Sequence, residues 1–335
     1  MKAAIIEKYG PPDVVQLMVI DKPAPKDDEI RVKVHFTTVN RTDCGFRTGK
    51  PFVTRLFTGL FKPNKTVLGS EFTGEVDALG KNVNAFKIGD KVFGNSASGF
   101  GAHAEYVCIA TDASIATLPE NLGLENALAI CEGPWYAWSN LKEVRLKRGE
   151  RMLVIGGSGS IGSSAIQLAN YFGVEITAVT NTQNMALVKS LGASHAIDYT
   201  QEDFTTRDSQ FDYIFDAVGK STFYKCRKLL KPHGVYFSTE LGPFIQNPLL
   251  ALWTSLFGKK RVLFPIPIDK KENLLFFREL AEKGYLKPVI DRVYPFEQLI
   301  EAYSYVETGQ KTGSVVVKLL GDSEPGQEGI ENSLA

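Results

Sequence analysis

The chain has 335 residues, enough for two hydrophobic cores or for one domain inserted into another, so folding needs no disulfide staples. Its 38 basic and 38 acidic residues balance, which leaves no basic footprint for nucleic acid and no polybasic membrane signal. The four cysteines, Cys44, Cys108, Cys131 and Cys226, are scattered, form no C-x-x-C pair, and fit a reducing, cytoplasmic setting better than a disulfide framework.

In chain order, residues 1–6 are too short an apolar run for a signal peptide and read as a first strand. Up to about residue 122, Gly, Pro, Asn and Asp interrupt the sequence at short intervals. Strand-like segments at 30–34 and 74–79 make this half mostly β. Near Asn126 the texture changes. An apolar helical stretch through Trp138 leads to a strand at 151–155, after which further strands (175–179, 195–198, 211–217, 235–239, 261–264) alternate with helices (160–172, 186–191, 222–230). Such alternation demands a parallel sheet, because parallel neighbours need crossover connections and helices supply them. The longest apolar run, residues 248–257, is too short to span a bilayer, which takes roughly 20 residues. A helix near 272–283 precedes a segment ending in the valine-rich run 314–318, a strand returning to the first half. The tail, 321–335, is rich in Gly, Glu and Ser and is expected to be disordered.

Gly157-Ser158-Gly159-Ser160-Ile161-Gly162 fits G-x-G-x-x-G, a weak pattern alone, since any strand-to-helix turn can carry glycines. Here it follows the apolar strand ending at Ile155 and opens a helix, which sets free backbone N–H groups and the positive helix end against a pyrophosphate. Gly159 would let the backbone approach the phosphates, and Gly162 would let the helix pack closely on the strand. An NAD-selective site usually ends its second strand with Asp or Glu, to accept from the ribose 2′-OH. This one ends in Val179-Thr180-Asn181-Thr182. Side chains of Thr180, Asn181 and Thr182 could donate to a 2′-phosphate, so NADP(H) is the expected cofactor. A polar loop that accepts either cofactor is the alternative.

Taken with Tyr9-Gly10-Pro11-Pro12, Val39-Asn40-Arg41-Thr42-Asp43, Leu68-Gly69-Ser70-Glu71-Phe72-Thr73-Gly74, Gly89-Asp90, Ser190-Leu191-Gly192-Ala193 and Val218-Gly219, this turn resembles the medium-chain dehydrogenase/reductase superfamily, in its zinc-independent branch of quinone-oxidoreductase-like proteins. The resemblance runs from Met1 to about Leu320. It implies an α/β chain in which a GroES-like β-rich domain (1–124 and 285–320) cradles a Rossmann domain with a doubly wound parallel sheet (125–284), the nicotinamide lying in the cleft between them. By position it places Asn40 and Asp43 at the nicotinamide and Tyr199 by the adenosine phosphate. Ala217, Val218 and Gly219 would support the cofactor, and Glu240 and Leu241 would pass beside the ring. Asn40 and Trp135 are counted among the cofactor-binding residues. Asn40, Asp43 and Tyr136 are the catalytic candidates, although a turn-forming pair and a core tyrosine are the plainer readings.

Zinc-bearing relatives hold their catalytic metal with Cys, His and Cys; the matching positions here are Asn40, Ser70 and Cys131, a poor zinc set. The structural cysteine cluster is missing between residues 99 and 107. No metal is expected, and His35, His103, His195 and His233 read as surface or packing residues. Without a Lewis acid, an electron-poor acceptor such as a quinone, an enone or a related activated carbonyl compound is the matching substrate. Two apolar inserts, 52–61 and 249–257, would lie near the cleft mouth and line a pocket for an apolar or aromatic substrate. A homodimer contact or core packing are their alternatives. Two other functions stay open. One is enoyl-thioester reduction, which in relatives goes with a tyrosine that this chain lacks between Asp43 and Phe61. The other is a non-catalytic NADPH-binding protein with a structural or redox-sensing role.

Overall fold

In first-half strands such as those at 29–34 and 106–110, the buried residues recur at every second position, so one face is covered. The computed structural model describes residues 1–64, 66–96, 100–208, 210–268 and 270–319, so the tail expected to be disordered lies outside the described residues. Strands β1 (Lys2–Ile5) and β2 (Gln16–Val19) pair antiparallel. They are followed by β3 (Glu29–Val39), β4 (Glu71–Leu79), β5 (Lys91–Asn95), β6 (Tyr106–Ala110) and β7 (Ile115–Thr117). On β3, Ile30, Val32 and Val34 are fully buried while the intervening Arg31 and Lys33 are only half covered, the period of two that a pleated strand imposes.

The second sheet is of the other kind. Strands β8 (Arg151–Ile155), β9 (Glu175–Thr180), β10 (His195–Asp198), β11 (Phe211–Asp216), β12 (Leu230–Ser238) and β13 (Arg261–Leu263) are all parallel, in the order β10-β9-β8-β11-β12-β13. Both faces are covered. Met152 and Val154 of β8 point into one apolar cluster, with helix residues Ala165, Ile166 and Leu168, while Leu153 and Ile155 point into another. Parallel strands buried on both sides read as unbroken apolar runs, as Met152-Leu153-Val154-Ile155 does. The strand order reverses between β8 and β11, and the crevice beyond their carboxyl ends is where open α/β sheets bind ligands.

Strands β14 (Ile290–Pro295) and β15 (Ser314–Lys318) return to the first sheet, whose order is β14-β15-β3-β4-β5-β7, with β6 also paired to β3. Val315 pairs with Val39, which brings the end of the chain beside the start of the Asn40 segment.

Several elements differ from the sequence reading. The helix expected at 222–230 is a single turn, Phe223–Cys226, followed by the 3-10 turn Arg227–Leu229, and the strand expected at 235–239 begins already at Leu230. The apolar stretch through Trp138 is two helices, Leu124–Leu128 and Glu132–Leu141, and Pro134 sits in the first turn of the second, where its missing N–H costs nothing. The strand expected to run to Ala217 stops at Asp216. Its carboxylate accepts from the N–H groups of Val218, Lys220 and Ser221 and so turns the chain. The run 248–257 belongs to a regular helix, Gln246–Phe257.

Candidate functional site

The turn after β8 is made by backbone. Gly156 adopts φ +77°, and the N–H groups of Gly156 and Gly157 both donate to Val179 O, tying the turn to β9. Helix Ser160–Tyr171 starts at Gly159 with no side chain capping it, so the N–H groups of its first turn are presented to the crevice. A Cβ on Gly162 would stand 2.1 Å from Gly156 O, whereas one on Gly159 would come no closer than 3.7 Å to any atom. Gly162 is therefore needed for helix-on-strand packing, as its spacing suggested. Gly159 has room for a side chain that Gly162 lacks. The cradle fits a pyrophosphate.

Around the turn the other segments converge. Val218 packs over Gly156, and Gly219 (φ +65°) lies against the Glu240 side chain. Glu240 is 3.9 Å from the Arg41 guanidinium on the opposite lobe. From the same lobe Gly313 N–H donates to Ser158 O at 2.8 Å, and Ser314 Oγ lies 3.2 Å from Ser160 Oγ. Thus Ser158, Ser160, Val218, Gly219 and Glu240 gather around the turn, with Ile161 half-buried at the helix start, while Ala217 is buried in the core and Leu241 O accepts from Asn247 N–H. Beyond the carboxyl end of β9, Tyr199 is exposed and its N–H donates to Thr180 O. The three polar side chains there already have partners: Thr180 donates to Ser158 Oγ, Asn181 accepts from Asn184 N, and Thr182 donates to Asp198. Trp135 is buried in the helix layer, its indole N–H on Ile268 O.

The pocket opposite is built from side chains. Asn40 caps helix Arg41–Thr48 through a reciprocal box with Asp43, and its amide Nδ2 donates to Ser70 Oγ at 2.9 Å. Glu71 accepts from Thr38 Oγ1 and from the backbone N–H of Glu132. Glu132 in turn accepts from Thr42 Oγ1 at 2.7 Å, and Thr42 Oγ1 lies 3.0 Å from the Tyr136 hydroxyl. Thr42 and Tyr136 hydroxyls can each donate or accept, so the chain runs in either direction according to whether Glu132 carries a proton. Asp43 is sealed, with no exposed surface and with Oδ1 lacking a partner. It stands behind Asn40 as a helix cap and does not reach the cleft surface.

Burial governs the charges here. Desolvation, then the neighbouring Glu71 charge, pushes the Asp43 carboxyl up to about 8. Glu132 is raised well above the usual carboxylate range by burial and then by Glu71, and the Tyr136 phenol is raised by burial and then by Glu132. The Tyr136 phenol therefore keeps its proton at neutral pH, and Glu132 is shifted toward its protonated form. His103 is driven down to about 4 by burial and is neutral. Its Nε2 faces Thr38 O at 2.8 Å, so that nitrogen carries the hydrogen and Nδ1 accepts from Tyr303. The 4.0 Å approach of His103 to Asp43 is then no ion pair.

The residues at the zinc-matching positions do not fit that ion. The Asn40 amide nitrogen is a donor already engaged with Ser70, and the Cys131 thiol donates to Ala127 O at 3.7 Å. Among the described residues no group of three or more His, Cys, Asp or Glu could hold a metal. Both apolar inserts are helical and turn large side chains outward: Phe52, Leu56 and Phe61 in the first, Leu252, Trp253 and Leu256 in the second.

Sequence reading missed Thr42, Glu71, Glu132, Asp216 and Gly313. Thr42 and Glu71 lay inside quoted motifs, and Glu132 was an acid beside Cys131 in an apolar stretch. Nothing local pointed to their meeting.

Residues 26–120 match the model of the alcohol dehydrogenase GroES-like domain, and 191–317 match that of the zinc-binding dehydrogenases. The chain is 32% identical to the 2-methylene-furan-3-one reductase of Solanum lycopersicum, over 95% of this chain and 79% of that one. It is 31% identical to the chloroplastic NADPH-dependent alkenal/one oxidoreductase of Arabidopsis thaliana, with the same coverage. Among solved structures it superposes on the quinone oxidoreductase from Coxiella burnetii with a TM-score of 0.85 at 29% identity, covering 96% of this chain and 99% of that one. The chain belongs to the medium-chain dehydrogenase/reductase superfamily, an oxidoreductase family, in the branch of quinone oxidoreductases and alkenal reductases.

Proposed function

We propose that this chain is an NADPH-dependent, zinc-independent reductase of quinones, enones or related activated carbonyl compounds. The observation that carries the reading is the chain Glu132–Thr42–Tyr136, at 2.7 and 3.0 Å, which joins the Asn40 segment to helix Glu132–Leu141 beside the positions that match the metal ligands of zinc-bearing relatives. A proton can be passed through hydroxyls at these distances, and an acceptor that is already electron-poor needs no Lewis acid.

NADPH, when bound, supplies a hydride. The backbone N–H groups of Ser160, Ile161 and Gly162 would hold its pyrophosphate, and the segments at Ala217–Gly219 and Glu240–Leu241 would confine its other half. Absence of an acidic residue from Thr180 to Thr182 supports the phosphorylated cofactor, as does the printed NADPH dependence of the Arabidopsis relative. Tyr136, half-buried and neutral, would give its hydroxyl proton to the reduced acceptor and recover one from Glu132 through Thr42. Asn40 orients this wall by holding Ser70, and Asp43 holds Asn40.

Consumption of NADPH against a panel of quinones and enones of increasing apolar size, with NADH in parallel, tests the reading. Turnover with NADPH is the expected result. Quenching of cofactor fluorescence with no consumption across the panel would make the chain a binder and end the catalytic proposal.

A further inference from the structure

Helix Gln246–Phe257 carries no charged residue, and none lies between Leu241 and Gly258. One face packs on the parallel sheet: Leu250 and Ala251 join its apolar cluster, and the buried Thr254 hydroxyl receives Val262 N–H. The other face is Leu249, Leu252, Trp253, Leu256 and Phe257, spaced i, i+3, i+4, i+7, i+8, and each of these side chains is between 64% and 71% exposed. Just ahead of the helix Phe244 is 99% exposed. Phe244 and Ile245 sit at φ +53° and +60°, a region that bulky and β-branched residues seldom adopt. A helix stripe this wide normally faces a core. Here it faces outward.

Immediately after the helix come Lys259, Lys260 and Arg261. Lys260 Nζ donates to Arg227 O, and Lys259 O accepts from His233 N–H, so exposed Arg227 and Lys228 adjoin the same end. The balanced total charge hides this local cluster. Cations also complement a helix C-terminus, but that accounts for none of the exposed apolar stripe. An uncharged apolar face with an aromatic pair (Trp253 and Phe257 ring centroids 5.0 Å apart) and basic residues at its end is the composition of a helix lying in a lipid interface.

We propose that this helix seats the protein on an anionic lipid surface, the apolar face entering the acyl boundary and the Lys259 to Arg261 cluster meeting the headgroups. A second copy fits less well. In a two-fold contact through the same face, the cations of one helix end would meet the uncharged start of the other helix, and the segment offers no carboxylate to receive them. The seat is independent of the reduction proposed above.

The full chain is mixed with vesicles of phosphatidylcholine alone or with one third phosphatidylglycerol, then sedimented. Partition onto the anionic vesicles is expected, weakening with salt, with a blue shift of tryptophan emission that Trp253→Phe removes while binding persists. Each cation near an anionic leaflet is worth about fivefold in partition. Lys259→Glu with Arg261→Glu should therefore lower it at least about tenfold, as should Leu252→Ser with Leu256→Ser, all exposed positions. Unchanged melting temperatures would show that these variants still fold. Equal partition onto neutral and anionic vesicles, no partition, or no loss in both double variants overturns the proposal. So does a dimer that dissociates on Leu252→Ser with Leu256→Ser in a protein that ignores vesicles, which would give the face to a second copy.

Discussion

The turn from Gly156 to Gly162 offers backbone to its ligand, whereas the pocket around Asn40 offers side chains that have already found one another. In the turn, helix N–H groups stand uncapped and the space before Gly159 is open. In the pocket, Asn40, Ser70, Glu71, Thr42, Glu132 and Tyr136 are joined by hydrogen bonds of 3.0 Å or less or through Thr38 and the Glu132 backbone. The turn is made to receive charge from outside, and the pocket is made to keep protons inside. Each can be altered without touching the other.

Gly162→Val has the largest expected effect, since its Cβ would lie 2.1 Å from Gly156 O and backbone cannot step aside cheaply. A loss of about 3 kcal/mol or more is expected, read as a lower melting temperature together with lost NADPH binding. Gly159→Ala separates these consequences: its φ is −72° and its surroundings are open, so the melting temperature should hold while the NADPH dissociation constant rises about tenfold. If Gly159→Ala binds as well as the parent, the first-turn amides are not the phosphate site.

Tyr136→Phe acts on the pocket alone. Loss of a positioned proton donor typically costs at least about 100-fold in rate, so kcat should fall by about that factor with NADPH affinity unchanged. A variant as fast as the parent would mean that water supplies the proton and that the phenol only packs.

Asp43→Asn examines the buried charge behind Asn40. The folded-state pKa of Asp43, about 8, lies above its unfolded value of about 4. The unfolded chain therefore ionises first, and folding loses stability as pH rises between about 4 and 8. Asn keeps an oxygen for the Asn40 N–H and removes that penalty. The variant should gain on the parent across this window and match it below pH 4. Parallel stability–pH curves for the two would show that the parent's Asp43 is not shifted.

Legibility in the sequence followed the same division. The strand at 151–155 stands where its apolar run put it, because a parallel strand buried on both faces writes itself as consecutive apolar letters; those at 195–198 and 314–318 also stand where the sequence put them. The glycine turn was readable because its chemistry is local, six residues at fixed spacing. Glu71 and Glu132 are 61 positions apart, and Gly313 reaches Ser158 across the whole second sheet. No window of sequence contains either pair. The helix Gln246–Phe257 was hidden differently: apolar on both its packed and its outward faces, it has no polar phase to reveal a period of 3.6.

The smallest expected effect lies at the far end of the turn, where backbone and side-chain recognition meet. Thr180 is buried and donates to Ser158, so a carboxylate there would be a buried charge beside the phosphate cradle and would test folding more than cofactor choice. Asn181 is only half covered and caps Asn184 N–H through its side-chain oxygen, a bond that Asp makes equally well. Asn181→Asp thus leaves the fold intact while adding the carboxylate that an NAD site uses for the ribose 2′-OH and that repels a 2′-phosphate. The ratio of kcat/KM for NADPH over NADH should fall about tenfold, or about 1.4 kcal/mol. An unchanged ratio would place the adenosine ribose away from this loop and leave the phosphate preference without its residues.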